Sequence, residues 1–119
     1  MKIAVIGSRS LHIKNLESYL PQDCTEIVSG GACGIDQSAA EYAVTHAIKL
    51  TEFLPQYSIY GRAAPIVRNK QIVDYADYVL AFWDGKSAGT LSVIRYCEKS
   101  GKQCKIILIK QEVSTCDAP

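Results

Sequence analysis

Two aspartates, one arginine, one lysine and a set of serine, threonine and glycine residues fall in three short segments of this chain. They are Gly7-Ser8-Arg9-Ser10, Ser29-Gly30-Gly31-Ala32-Cys33-Gly34-Ile35-Asp36 and Asp84-Gly85-Lys86-Ser87-Ala88-Gly89-Thr90. Each follows a run with strand character and precedes a run with helical character. A strand that feeds a glycine-bearing turn into a helix leaves backbone N–H groups unpaired at the helix start, where the macrodipole also favours an anion. Three such turns in 119 residues point to a ligand that carries phosphate.

The second segment is the most specific. Gly30 and Gly31 permit positive φ and close backbone approach, and Gly34 leaves little bulk where helix and ligand meet. Asp36 falls in the first helical turn, placed to complement the dipole or to accept from a ribose hydroxyl or a ligand amine. The plain alternative is a tight strand-to-helix turn with no ligand. The dinucleotide fingerprint G-x-G-x-x-G is not present. In the third segment Ser87 and Thr90 offer hydroxyls, Gly85 and Gly89 allow approach, and Lys86 adds a cation; the phosphate-loop spacing G-x-x-x-x-G-K-[ST] is absent, and Ser87 also reads simply as a helix cap. Arg9, Arg62 and Arg68 are all expected near the same edge, where a guanidinium can pair with phosphate in bidentate fashion, with Asn69 beside Arg68. Trp83, Tyr57 and Tyr60 are aromatic candidates for stacking on a base, with core or interface packing as the competing role. Cys33 reads as a small turn residue. His12 and His46 are isolated and no metal-ligand spacing occurs, so neither a metal nor another cofactor is expected.

The elements that must carry these residues alternate. Apolar runs at Lys2–Ile6, Glu26–Ser29, Leu50–Leu54, Tyr78–Trp83 and Lys105–Lys110 are continuous, as in strands covered on both faces. Helical patterns lie between them: Leu11–Leu20, closed by Pro21; Gly34–Ala47, with Ile35, Ala39, Ala43 and Ala47 at four-residue spacing and Ala40 and Val44 widening the stripe; a helix opened by Pro65, with Ile66, Asn69, Ile72, Val73 and Ala76; and a last one from near Ala88 to Gly101. Strict alternation with short connections implies an α/β, three-layer, Rossmann-like, doubly wound sheet of about five parallel strands in the order 3-2-1-4-5. Ligands of such sheets sit at the carboxyl edge where the strand order reverses, and all three glycine turns lie there. Residues 1–110 read as one domain and 111–119 as a loose tail.

Composition bounds the partners. Hydrophobic content of 48% and charged content of 21% are those of a globular chain. Thirteen basic against twelve acidic residues weigh against a dedicated electrostatic nucleic-acid binder. No apolar run is long enough to span a bilayer and no signal peptide is readable, so membrane association is not expected. The five cysteines, Cys24, Cys33, Cys97, Cys104 and Cys116, form no Cys-x-x-Cys pair and read as reduced thiols of a cytoplasmic protein.

Taken together, Gly7-Ser8-Arg9, Ser29-Gly-Gly-Ala-x-Gly-Ile-Asp36 and Arg68-Asn69-Lys70 resemble the signature of the DNA-processing Smf (DprA) proteins, within the superfamily, called SLOG, that joins them to the Lonely Guy phosphoribohydrolases. Tyr60-Gly61-Arg62-Ala63-Ala64 and Ala81-Phe82-Trp83-Asp84-Gly85-x-Ser87-x-Gly89-Thr90 resemble its small stand-alone, YspA-like branch. The resemblance runs from Lys2 to about Lys110. It implies a Rossmann-like fold, a nucleotide-type ligand and a homo-oligomer. In the Lonely Guy enzymes the last turn reads P-G-G-x-G-T-x-x-E; Gly89-Thr90 fall at its G-T, Arg68 at a preceding arginine, and the glutamate position at Val93. The expectation is therefore binding of a nucleotide or nucleotide-derived phosphorylated ligand. The alternatives are an N-glycosidic hydrolase, with Arg68 and either Asp36 or Asp84 as the catalytic groups, and a single-stranded DNA binder.

Overall fold

The computed structural model describes residues 1–32 and 34–109. Cys33 and the expected tail at 111–119 lie outside the described residues, as does the Lys110 end of the expected last strand. Five strands, β1 (Lys2–Gly7), β2 (Glu26–Ser29), β3 (Lys49–Glu52), β4 (Tyr78–Trp83) and β5 (Cys104–Leu108), form one sheet in the order β3-β2-β1-β4-β5. Every pairing is parallel. Four helices accompany them: α1 (Ile35–Thr45), α2 (Tyr57–Tyr60), α3 (Ala64–Tyr75) and α4 (Ala88–Ser100). This is the expected α/β architecture and strand order.

Alternation along the strands divides the core in two. Ala4, Ile6, Val28, Val79 and Ala81 face one way, onto Ile72 and Val73 of α3 and Val93, Ile94 and Cys97 of α4. Ile3, Val5, Ile27, Leu80 and Phe82 face the other way, onto Ile35, Ala39 and Ala43 of α1 and onto Leu11 and Leu16. The central strands β1, β2 and β4 are covered on both faces, as continuous apolar runs require. β3 and β5 are the sheet edges and are partly exposed, unlike the fully covered strands expected of them.

The first crossover differs from expectation. No helix spans Leu11–Leu20; only a 3-10 turn at Leu16–Ser18 forms. The Leu11 N–H donates to the Ser8 carbonyl at 3.2 Å and the Ile13 N–H to Ser38 Oγ at 3.1 Å, so backbone donors find partners outside any helix. Leu11, Ile13, Leu16, Tyr19 and Leu20 pack onto the α1-side core from this extended path.

Helix faces also shift. Val44 is 76% exposed and Ala47 lies beyond α1 with φ 54°, so neither joins the stripe; Ser38 is buried there instead. On α3, Ile72 and Val73 are buried as expected, but Ile66 is 53% exposed. The buried position one turn before Ile72 is Arg68. α2 and the 3-10 turn Gly61–Ala63 form most of the connection between β3 and α3, where no helical pattern was expected. α4 ends as expected at Gly101, whose φ of 76° closes the helix in the left-handed region. Among the described residues no helix is long and apolar enough to cross a membrane.

Candidate functional site

β1 and β4 are neighbours, yet β1 leads away to β2 and β4 leads away to α4 and β5. Their turns part at the carboxyl edge, and a cleft of about 430 Å³ opens between them. That volume lies within the range of small-molecule sites. Its walls come from the turn after β1 (Gly7, Ser8, Arg9, Ser10), the start of α1 (Ala32, Asp36), α3 (Pro65, Arg68, Asn69, Ile72) and the turn into α4 (Asp84, Ser87, Gly89, Thr90, Val93).

The α4 turn is built by its own side chains. Asp84 accepts from the N–H groups of Lys86 and Ser87, both at 2.8 Å, and these two bonds hold its carboxyl below the usual carboxylate range. Ser87 caps the helix, accepting from the Thr90 N–H at 3.4 Å and lying 3.3 Å from the Thr90 hydroxyl. Trp83 does not line the cleft; its indole N–H donates to the Ser87 carbonyl at 3.0 Å and secures the same turn from behind. Around Gly89 there is space, since a Cβ there would meet nothing within 4 Å. The first turn of α4 is thus open to a ligand at Gly89.

On the facing wall Arg68 is 9% exposed. Its Nη1 donates to the Gly30 carbonyl at 2.8 Å and its Nε to Asn69 Oδ1 at 2.9 Å. A buried guanidinium pinned to a glycine turn is a positioning group as well as a charge. A Cβ at Gly30 would come 2.5 Å from Arg68 Nη1, so any side chain there would displace the guanidinium from this position. Asp36 accepts from the Ala32 N–H at 3.2 Å and feels the Arg68 charge. Burial outweighs both, and the Asp36 carboxyl is pushed above its ordinary range. The cleft therefore holds two carboxyls shifted in opposite directions, Asp36 up and Asp84 down.

Of the residues expected to bind, Gly7, Ser8, Arg9, Asp36, Arg68, Asn69, Ser87, Gly89 and Thr90 line this one cleft. Ser29, Gly30, Gly31, Gly34 and Trp83 do not line it. Ser29 is fully buried at the end of β2, and Gly31 and Gly34 have φ of 70° and 73°. Gly34 is required by the turn after β1 rather than by a ligand: a Cβ would meet the Arg9 carbonyl and lie 2.6 Å from the Ser8 carbonyl oxygen. Arg62 is exposed in the 3-10 turn and does not line the cleft. Ser10, Ala32, Pro65 and Ile72 are added to it. Ser10 and Ala32 sit inside the glycine segments already singled out, and Ile72 was expected only as core. Val93 is 3% exposed and brings an apolar side chain to the cleft lining. Among the described residues no three His, Cys, Asp or Glu side chains gather as a metal site. Comparison of the chain with models of protein families, with curated proteins and with solved structures found no match in any of the three.

Proposed function

We propose that this chain binds a nucleotide or a nucleotide-derived phosphorylated ligand in the cleft between the β1 and β4 turns, as a member of the SLOG superfamily that its motifs resemble. The observation that carries the reading is the open first turn of α4 at Gly89, facing Arg9 and Arg68 across one cleft. Helix N–H groups, the Ser87 and Thr90 hydroxyls and the exposed Arg9 guanidinium form the phosphate end. Asp36 sits on the other wall, at the start of α1, as acceptor for a ribose hydroxyl or a base amine. Ile72 and Val93 supply the apolar floor.

The test is thermal unfolding with a panel of nucleoside phosphates, cyclic nucleotides and ADP-ribose. Ligand at about a hundred times its Kd adds ~2.7 kcal/mol of stability. No shift with any phosphorylated compound at millimolar concentration removes the proposal.

One observation favours a second reading, cleavage of an N-glycosidic bond. Oppositely shifted carboxyls in one cleft are the arrangement that supplies a proton donor and an ionised partner to a sugar anomeric carbon. In this reading Asp36, its carboxyl raised by burial, would be the proton donor and Asp84, its carboxyl lowered by its turn, the ionised partner, although one oxygen of Asp84 is already engaged by that turn. Release of free base from a nucleoside monophosphate, abolished by Asp36→Asn, would decide for it. The single-stranded DNA reading is the weakest: two arginines facing two aspartates give the cleft no basic track.

A further inference from the structure

The last turn of α4 and the first residue of β5 bring two thiols together. Cys97 has no exposed surface and belongs to the core beneath α3 and α4, and Cys104 is half-buried against that same core. Their side chains hydrogen-bond to one another. The backbone between them holds this meeting in place. α4 stops at Ser100, Gly101 turns the chain at φ 76°, and the Lys102 N–H donates back to the Cys97 carbonyl at 3.0 Å. The Val79 N–H then donates to the Gln103 carbonyl at 3.0 Å, and Cys104 enters the sheet beside Val79. Both ends of the short loop are pinned by main-chain bonds alone.

The bond between the sulfurs makes them unequal. Donation from the Cys104 thiol lowers the Cys97 thiol below its ordinary value, and the same bond raises Cys104 above its own. A thiol and a thiolate sharing one proton are the starting state for disulfide exchange. Among the described residues no three His, Cys, Asp or Glu side chains gather, so the pair is not a zinc site. Cys24 cannot join it. That side chain packs with the core on the α1 side of the sheet, and its thiol donates to the Glu26 carbonyl at 3.7 Å.

We propose that Cys97 and Cys104 form a reversible dithiol–disulfide couple, oxidised by a low-molecular-weight disulfide RSSR. The half-buried Cys104 sulfur attacks one sulfur of RSSR, and its proton leaves with the first RSH. The Cys97 sulfur then attacks the Cys104 sulfur of the mixed disulfide, and its proton leaves with the second RSH. Two thiols and one RSSR thus give the protein disulfide and two RSH, and two electrons pass to the reagent. The new bond ties the C-terminal turn of α4 to the edge strand β5, whose Ile106 and Leu108 are exposed. Closing so short a loop constrains the unfolded chain less than a long one would, so the bond remains reducible.

The full chain, equilibrated with graded ratios of reduced and oxidised glutathione, is quenched in acid, alkylated in denaturant and digested with trypsin without reductant. No nucleotide enters the assay, so its outcome is separate from that of the binding test. Cleavage after Arg95, Lys99, Lys102 and Lys105 puts the two cysteines in different peptides, Tyr96–Lys99 and Gln103–Lys105. The oxidised wild type should yield these two joined, about 2 Da lighter than their sum, and dithiothreitol should part them. Cys97→Ala removes the resolving thiol and should accumulate glutathione on Cys104. Cys104→Ser should leave the covered Cys97 unmodified, with circular dichroism confirming that both variants fold. The wild-type peptide map decides the matter even where a variant fails to fold. Absence of the joined peptides at saturating oxidised glutathione overturns the proposal, as does a glutathione adduct on Cys104 that persists in the wild type.

Discussion

Arg68 joins the cleft to the interior. Because its guanidinium holds the Gly30 carbonyl and Asn69 from a position only 9% exposed, it is not the solvated arginine that a mid-helix position usually means. Arg68→Ala leaves a buried carbonyl without its donor and should cost about 1–3 kcal/mol of folding stability in urea unfolding, where loss of an exposed arginine would cost within about 0.5 kcal/mol. Arg68→Lys should recover part, since an ammonium can meet one acceptor but not hold the planar pair. Asp36 carries the pH signature. Its folded carboxyl is raised by burial, so the native state keeps a proton that the unfolded chain releases. Its contribution to stability is complete below the ordinary aspartate value near ~3.9 and is lost as pH rises toward the folded value. Asp36→Asn should remove that loss, and the variant should gain on the wild type as pH climbs from about 3 to 7 in denaturant titrations. If the two proteins keep a constant difference across that range, Asp36 is not buried as a strained acid.

The turns into α1 and α4 look alike in sequence and differ in what their glycines do. Gly34 has positive φ and backbone carbonyls of Ser8 and Arg9 pressed against it, and neither can move without displacing β1. Gly34→Ala should therefore destabilise by several kcal/mol, on the order of a strained non-glycine residue plus an overpacked contact. Gly89 lies in the first turn of α4 with open space where a Cβ would go. Gly89→Ala should leave stability unchanged or raise it by up to about 1 kcal/mol, because alanine narrows the unfolded ensemble in a compatible helix position. The same methyl would stand in the cleft and should weaken a phosphorylated ligand. A Gly89→Ala protein that binds as tightly as wild type would place the phosphate elsewhere. Much of this contrast was legible as motif: both glycines were candidates for close approach. Which atom approaches, a ligand or the chain's own β1 turn, depends on β1 and α1 meeting across more than twenty residues of sequence.

For the whole molecule, the carboxyl edge is given to the cleft and the amino edge to a buried carboxylate. Glu26, 7% exposed at the start of β2, accepts from the Thr51 hydroxyl and from the Tyr75 hydroxyl, each at 2.6 Å, with Lys49 Nζ 3.7 Å away. These bonds, Thr51 first, hold its carboxyl below the usual range. A depressed folded pKa means stability that is present above the ordinary glutamate value near ~4.3 and is lost as pH falls through the folded value. Wild type should accordingly lose more stability than Glu26→Gln between about pH 5 and 3, as read by thermal unfolding. Equal acid sensitivity would show that the cluster does not link β2, β3 and α3 through charge. Residues from three distant elements make this cluster, and no spacing in the chain announces it.

Periodicity and glycine placement were enough to specify an all-parallel sheet, its order 3-2-1-4-5 and the edge where the cleft opens, because those follow from local patterns and from the rules for crossover connections. Nine of the fourteen binding candidates line that cleft, and seven of them do so for the same reason: a turn after a strand, with the helix start it feeds, lies at the carboxyl edge whatever surrounds it, whereas Arg68 and Asn69 are brought there by α3. Packing across the fold decided the remainder. Leu11–Leu20 had enough apolar residues for a helix, but the sheet face beside α1 took them from an extended path instead. Arg68 reads as a phosphate-pairing candidate at that edge, and its burial against the Gly30 carbonyl follows only from α3 packing beside the β2 turn. Tyr57 and Tyr60 read as stacking candidates near the edge and stand in an exposed helical turn that does not line the cleft. Local pattern reports which face of an element is apolar, whereas burial depends on which other element arrives to cover it.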